Sequence, residues 1–132
     1  MKRIASIQDI SCLGRCSLTV ALPVLSAMGV ECAVLPTALL STHTAFPAPA
    51  VTDLTGCVRP ILDHWQTIGA KFDGILTGYL ANEDQAALAL ELIDRFGENA
   101  LVIQDPAMAD HGRLYSGISP QMVDAHRRIC ER

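Results

Sequence analysis

Aromatic side chains are scarce in this sequence: three Phe, two Tyr and one Trp make up 5% of 132 residues. Any core must therefore be aliphatic, drawn from a composition that is 50% hydrophobic. Charge is sparse too, at 18%, with 10 Lys+Arg against 14 Asp+Glu and a net charge of −4. Without a Lys/Arg cluster, that balance argues against nucleic acid or an anionic membrane as the main partner. No apolar run reaches the roughly 18–20 residues needed to cross a bilayer. Leu18–Val30 is too short and is broken by Pro23 and Gly29. Met1-Lys2-Arg3 has the look of a basic leader start, but Asp9 interrupts the apolar segment after only a few residues. A soluble, cytoplasmic protein is expected. The cysteines (Cys12, Cys16, Cys32, Cys57, Cys130) are odd in number and lack framework spacing, which suits reduced thiols.

A chain this apolar folds rather than staying disordered, and its length suits one domain over 1–132. Short apolar runs alternate with helix-like stretches. Arg3–Gln8, Glu31–Leu40, Phe72–Thr77 and Ala100–Gln104 read as buried strands. Between them, Ser17–Met28 stops at Gly29 and Asp53–Ile68 stops at Gly69. Asn82–Phe96 opens on a capping Asn before Glu83-Asp84 and carries Leu88, Leu92 and Phe96 at helical spacing. Ser119-Pro120 is a cap followed by a first-turn proline, opening a helix to about Cys130. Pro23 predicts a kink or a late start in the first helix. The β-α-β-α-β-α-β-α order gives an α/β fold: a parallel, three-layer, Rossmann-like sheet with right-handed crossovers. The chain stops where another strand would begin, so the fold is expected to be incomplete at its C-terminal side.

Ligands of such sheets bind beyond the carboxyl ends of the strands. Those ends lead here into Asp9–Ser17, Ser41-Thr42-His43-Thr44, Gly78-Tyr79 and Asp105–Gly112, all rich in groups that donate, accept or titrate. Neither GxxxxGK[ST] nor GxGxxG occurs, and no GxSxG elbow offers an acyl-transfer serine. Bland alternatives stand beside each candidate. Asp9 could cap its own turn, and Asp105-Pro106 could only initiate one. Cys12 and Cys16 form a C-x₃-C without a second Cys/His pair to complete a metal set. His43 could structure a loop, and Tyr79 could be a strand-end aromatic with its hydroxyl in water. His64 and Trp65 fall in a helix-like stretch as packing or surface residues. His111 and His126 read as an exposed turn and an exposed helix face.

Four segments together resemble the pyridoxal and pyridoxamine kinases of the ribokinase-like superfamily. They are Ser6-Ile7-Gln8 with its Gly14-containing turn, Ser41-Thr42-His43-Thr44, Leu76-Thr77-Gly78-Tyr79-Leu80, and Asp105-Pro106-x-Met108-x-Asp110. The resemblance implies that the chain is the N-terminal half of an ATP-dependent kinase for the 5′-hydroxymethyl group of vitamin B6. It implies substrate contacts from Asp9, Cys16, Thr44 and Tyr79, with apolar contact from Ala38 and Leu40. Asp9 stands where many members carry serine, so its carboxylate is a departure. Asp105, Asp110 and Tyr115 resemble positions that meet ATP, with Asp105 and Asp110 near Mg²⁺; a monovalent cation is compatible with the resemblance. The whole enzyme would be a homodimer of small-molecule specificity. The superfamily's G-x-G-D turn, whose aspartate is the catalytic base, is absent, so no catalytic residue is assigned and little turnover is expected. A hydroxymethylpyrimidine kinase of thiamine synthesis and a non-catalytic B6-binding remnant are the rival identities.

Overall fold

The computed structural model describes residues 1–115 and 117–132. Five strands form one sheet in the order β3-β2-β1-β4-β5. They are β1 (Arg3–Leu13), β2 (Glu31–Thr42), β3 (Val51–Asp53), β4 (Gly74–Thr77) and β5 (Leu101–Gln104). The helices are α1 (Leu18–Ala27), α2 (Thr55–Thr67), α3 (Glu83–Phe96) and α4 (Pro120–Cys130). The α/β expectation holds, with one amendment: β3 is antiparallel to β2, so the sheet is mixed rather than wholly parallel. A small hairpin, β6 (Ala109–Asp110) with β7 (Arg113–Leu114), was also not expected from the sequence.

One face of the sheet carries the aliphatic core. Ala5 and Ile7 of β1, Leu35 of β2 and Ile75 of β4 cluster with residues from three helices. Those residues are Val58 and Leu62 of α2, Leu88, Ala89 and Leu92 of α3, and Met122, Ala125 and Ile129 of α4. The helical positions repeat at three and four residues, the spacing that puts one stripe of each helix on the sheet. Trp65, Phe72 and Phe96 close one end of the cluster, their ring centroids 5.0–6.5 Å apart. Helix α1 packs on β1 and β2, and its Leu18 is buried outside that cluster.

Both cap assignments hold. Asn82 accepts from the Gln85 N–H at 2.9 Å, and Ser119 accepts from the Met122 N–H at 3.1 Å. The expected late start of α1 does not occur: the helix begins at Leu18 and continues through Pro23. Pro23 gives up only one backbone donor inside a ten-residue helix. His126 is not on an exposed face but buried on α4, 1% accessible.

The first two strands run past their expected ends at Gln8 and Leu40. The β1–β2 register slips between Gln8 and Ile10, so that Gln8 faces Pro36 while Ile10 faces Leu39. Pairing then resumes as far as Leu13 and Thr42. A proline, lacking an N–H, fits at such an irregularity. Asp9 therefore lies within β1 rather than in the turn after it.

Candidate functional site

Chain direction sets the site's location. From β1, the connection through α1 leads to β2 on one side; the connection through α2 leads back to β4 on the other side of β1. The order reverses between β1 and β4, and the crevice beyond the strand ends at such a reversal is where open α/β sheets bind ligands. A cleft of about 530 Å³ opens there. Gln8, Asp9 and Ser11 of β1 contribute to its lining, with Leu40, His43 and Thr44 from the end of β2. Gly78 and Tyr79 follow β4, and Asp105 and Ala107 follow β5. Cys16, Ser17 and Tyr115 complete the wall.

Two glycines let these elements approach. A Cβ on Gly78 would stand 2.5 Å from Gln8 Oε1, whose amide is already turned to Ser6 Oγ at 2.7 Å. Gly14 has φ +95°, and a Cβ there would meet the His43 ring at 2.1 Å. The imidazole is further set by the Ala45 N–H, which donates to Nδ1 at 3.2 Å, and by Phe46, 4.9 Å between ring centroids. His43 thus organises its loop and also borders the cleft.

Asp9 is the most deeply placed charged group in the wall, 4% accessible. Ser17 Oγ donates to its Oδ1 at 2.5 Å, and Ser11 Oγ lies 3.4 Å from Oδ2. Ser17 stands at the N-cap of α1 yet makes no side-chain cap; its φ of 52° turns the hydroxyl toward Asp9 instead. Left-handed backbone at a non-glycine residue is strained, and such strain collects at binding sites. Half-buried Tyr79 has its phenol pKa raised by burial and then by the negative charge of Asp9, so at neutral pH its hydroxyl is a donor. Tyr115 donates to Asp110 Oδ2 at 2.9 Å, and that bond, with burial and nearby carboxylates, holds its pKa up as well. The two tyrosine rings stand 6.5 Å apart at 58°.

Of the residues expected from the sequence, Asp9, Cys16, Thr44, Tyr79, Asp105 and Tyr115 line this cleft, and Leu40 joins them. Ala38 is buried in β2 and does not reach the lining. Asp110 lies outside the lining, in β6, tied to it through the Tyr115 hydroxyl. Gln8 stands in the Ser6-Ile7-Gln8 motif and Ser11 and Ser17 in the Asp9–Ser17 segment, but the sequence assigned none of the three a contact of its own. Alternation of Asp9 and Ser11 with Ile10 is their one local sign, and nothing local announces the backbone turn at Ser17. Among the described residues, no three His, Cys, Asp or Glu side chains gather as a metal set. Asp105 and Asp110 supply hard carboxylate oxygens of the kind that hold Mg²⁺, which is bound through one or two carboxylates together with substrate phosphates. Of the two, Asp105 lines the cleft, while Asp110 stands outside it with one carboxylate oxygen held by the Tyr115 hydroxyl.

Comparison with known proteins bears on this geometry. No protein-family model matches the chain. A solved structure of pyridoxal kinase from Lactobacillus plantarum superposes with a TM-score of 0.91 at 35% identity, covering 98% of this chain and 46% of that one. The chain is related to the pyridoxal kinases. Its fold is their ribokinase-like fold, over about half the length of these relatives. A Bacteroides thetaiotaomicron protein provisionally named a phosphomethylpyrimidine kinase, solved with pyridoxal, gives a TM-score of 0.91 at 40% identity. That match covers 97% of this chain and 45% of that one. A Schizosaccharomyces pombe protein provisionally named a pyridoxal kinase is 29% identical over 135 residues, 97% of this chain and 42% of its own. Pyridoxal kinase from Leishmania donovani, solved with ADP and pyridoxamine, matches at 25% identity and a TM-score of 0.80, covering 98% of this chain and 47% of that one.

Proposed function

We propose that this chain forms the alcohol-binding part of an ATP-dependent B6-vitamer kinase. The observation that carries it is the convergence, at the β1/β4 reversal, of Asp9 from within β1 with Thr44, Tyr79 and Asp105 from just beyond β2, β4 and β5. A cleft of about 530 Å³ suits a single substituted pyridine ring with a nucleotide's terminal phosphates beside it. The kinship with pyridoxal kinases, and the ADP and pyridoxamine found in one relative, support that occupant.

Within the proposed site, Leu40 and Tyr79 present apolar and aromatic surface to the ring, and the Thr44 and Tyr79 hydroxyls and Asp9 hold its polar substituents. Ser17 fixes the Asp9 carboxylate. Cys16 borders the ring pocket as a small wall. Asp105 and the Asp110–Tyr115 pair stand on the phosphate side. Phosphate oxygens beside carboxylates repel one another, so this side suits a Mg·ATP complex rather than free ATP. Mg²⁺, when bound, neutralises phosphate charge as it moves during transfer. The expected base, the G-x-G-D aspartate, has no counterpart in this chain.

Two measurements test the proposal. Calorimetric titration of the chain should give saturable binding of pyridoxal, pyridoxamine or pyridoxine. A coupled ATPase assay should give no vitamer-dependent turnover above background. If none of the vitamers binds while 4-amino-5-hydroxymethyl-2-methylpyrimidine does, the second reading, a hydroxymethylpyrimidine kinase, takes its place; the name given to the Bacteroides relative favours that rival.

A further inference from the structure

One buried amide lies behind the cleft without lining it. Gln85 of α3 is 0% accessible and is absent from the cleft wall. Its Oε1 accepts from the Ala81 N–H at 2.8 Å, two residues beyond Tyr79. Its Nε2 donates to the Thr37 carbonyl at 3.2 Å, to Thr55 Oγ1 at 2.9 Å and to Asp53 Oδ1 at 3.2 Å. An amide buried this fully is unfavourable unless its bonds are made, and here both of its ends are engaged. Starting the helix does not require that reach, because Asn82 already caps α3 through the Gln85 N–H.

The partners of Gln85 belong to the two sides of β1, which has β2 on one side and β4 on the other. The β1–β2 register pairs Gln8 with Pro36 and Ile10 with Leu39, so Thr37 and Ala38 together stand against Asp9 alone. The extra residue makes a β-bulge, rare between parallel strands, and bulges next to binding sites re-aim the side chains around them. Within the bulge, the Thr37 carbonyl accepts from the Leu54 N–H at 2.9 Å as well as from Gln85. The Thr37 hydroxyl is buried with no partner among the described residues, so the carbonyl is the group by which Gln85 holds this strand. Leu40, His43 and Thr44 follow the bulge into one wall of the cleft, and Gly78 and Tyr79 enter it from the β4 side.

We infer that Gln85 is a positioning residue: from outside the cleft it ties the bulge of β2 to the loop bearing Tyr79, and so holds the walls on either side of β1 at one spacing. The ligand served by that spacing rests on the B6-vitamer proposal; the tie itself does not.

The test compares the chain with Gln85→Met, which keeps the side-chain length but has no amide, and with Asn82→Ala. The second variant removes a bond at the same helix end and none that reaches β2. Calorimetry with pyridoxamine should show a loss of about tenfold or more in Gln85→Met and a change within about twofold in Asn82→Ala. Without ligand, the nuclear Overhauser contact between the Tyr79 and Tyr115 rings, whose centroids are 6.5 Å apart, should persist in Asn82→Ala and disappear in Gln85→Met. A Gln85→Met chain that is folded by far-UV circular dichroism and keeps either its pyridoxamine affinity or the ring contact would overturn the inference. So would an Asn82→Ala chain that loses as much affinity as Gln85→Met, because lost stability alone would then explain both. If Gln85→Met does not fold, amide exchange in the unsubstituted chain decides. The Ala81 N–H should exchange as slowly as that of Leu92 in the core of α3, and exchange as fast as an exposed loop amide would overturn the tie. Failure of the unsubstituted chain to bind any vitamer would overturn the B6 proposal alone, with the ring contact and the Ala81 exchange still deciding the role of Gln85.

Discussion

His126 illustrates how one buried side chain ties a helix to the floor of the site. Thr77 Oγ1 donates to Gln104 Oε1, which leaves the Gln104 amide N–H₂ to donate to His126 Nδ1 at 2.9 Å. Nδ1 must therefore be an acceptor, and the proton sits on Nε2, a buried atom with no partner among the described residues. Burial pushes the imidazole pKa below its ordinary 6.5, with the charge of Asp105 pulling weakly the other way. Protonation would also set two donors face to face at Gln104. The unfolded chain takes up this proton more readily than the folded one, so stability rises with pH through the window below 6.5 and is lost as pH falls into it. Thermal melts from pH 7.5 to 5 should show a falling midpoint, and His126→Gln should flatten part of that slope. An identical slope in the variant would show that other groups carry the acid sensitivity.

At the scale of elements, the helix ends are set locally and can be tested locally. Asn82→Ala removes the acceptor for the Gln85 N–H and should cost about 1 kcal/mol in denaturant unfolding, with an unchanged m-value. No loss of stability would mean that the N-terminus of α3 is held by Gln85 instead. That residue is buried, accepts from the Ala81 N–H at 2.8 Å, and donates toward Thr37 O and Thr55 Oγ1. The caps at Asn82 and Ser119 were legible in the sequence because both signal and effect lie within one helical turn. The four parallel strands β1, β2, β4 and β5 were legible as apolar runs, and so was the convergence of their loops, since parallel topology puts every carboxyl end on one rim. Strand β3 was not: Val51–Asp53 has three exposed residues and exists by pairing with Ala38–Leu40, far away in sequence. Hairpin β6–β7 turns through His111 and Gly112, both at positive φ, and an H-G pair gives a weaker local signal than N-G. The same distinction holds in the site. Tyr79 and Asp105 follow apolar strands directly, whereas Ser17 depends on a backbone turn stabilised by Asp9, eight residues earlier in the chain.

For the whole molecule, the outstanding physical fact is unequal coverage of the sheet. Helices α2, α3 and α4 bury one face, while α1 packs chiefly on β1 and β2. Beyond it, Ile4, Val30, Gly74, Leu101 and Ile103 border an apolar trough of about 250 Å³. Leu101 is 68% and Ile103 47% accessible, and β5 pairs with β4 on one side only. An edge strand with free N–H and C=O groups beside exposed leucine and isoleucine is a template for another chain. Helix α1 adds to it: LTVALPVLSA has no charged residue, and of its ten residues only Leu18 is buried. The isolated 132-residue chain should therefore self-associate, giving a mass above 14.2 kDa in light scattering that rises with concentration. Replacing Ile103 by Lys places a charge on the exposed face of β5 without touching the α3 and α4 side, and should shift the population toward monomer while leaving the far-UV spectrum unchanged. A sharp monomer with a cooperative melt in the unsubstituted chain would mean that the open edge is protected by its own twist. A Lys variant that associates as strongly as the parent would instead move the contact to the uncharged surface of α1.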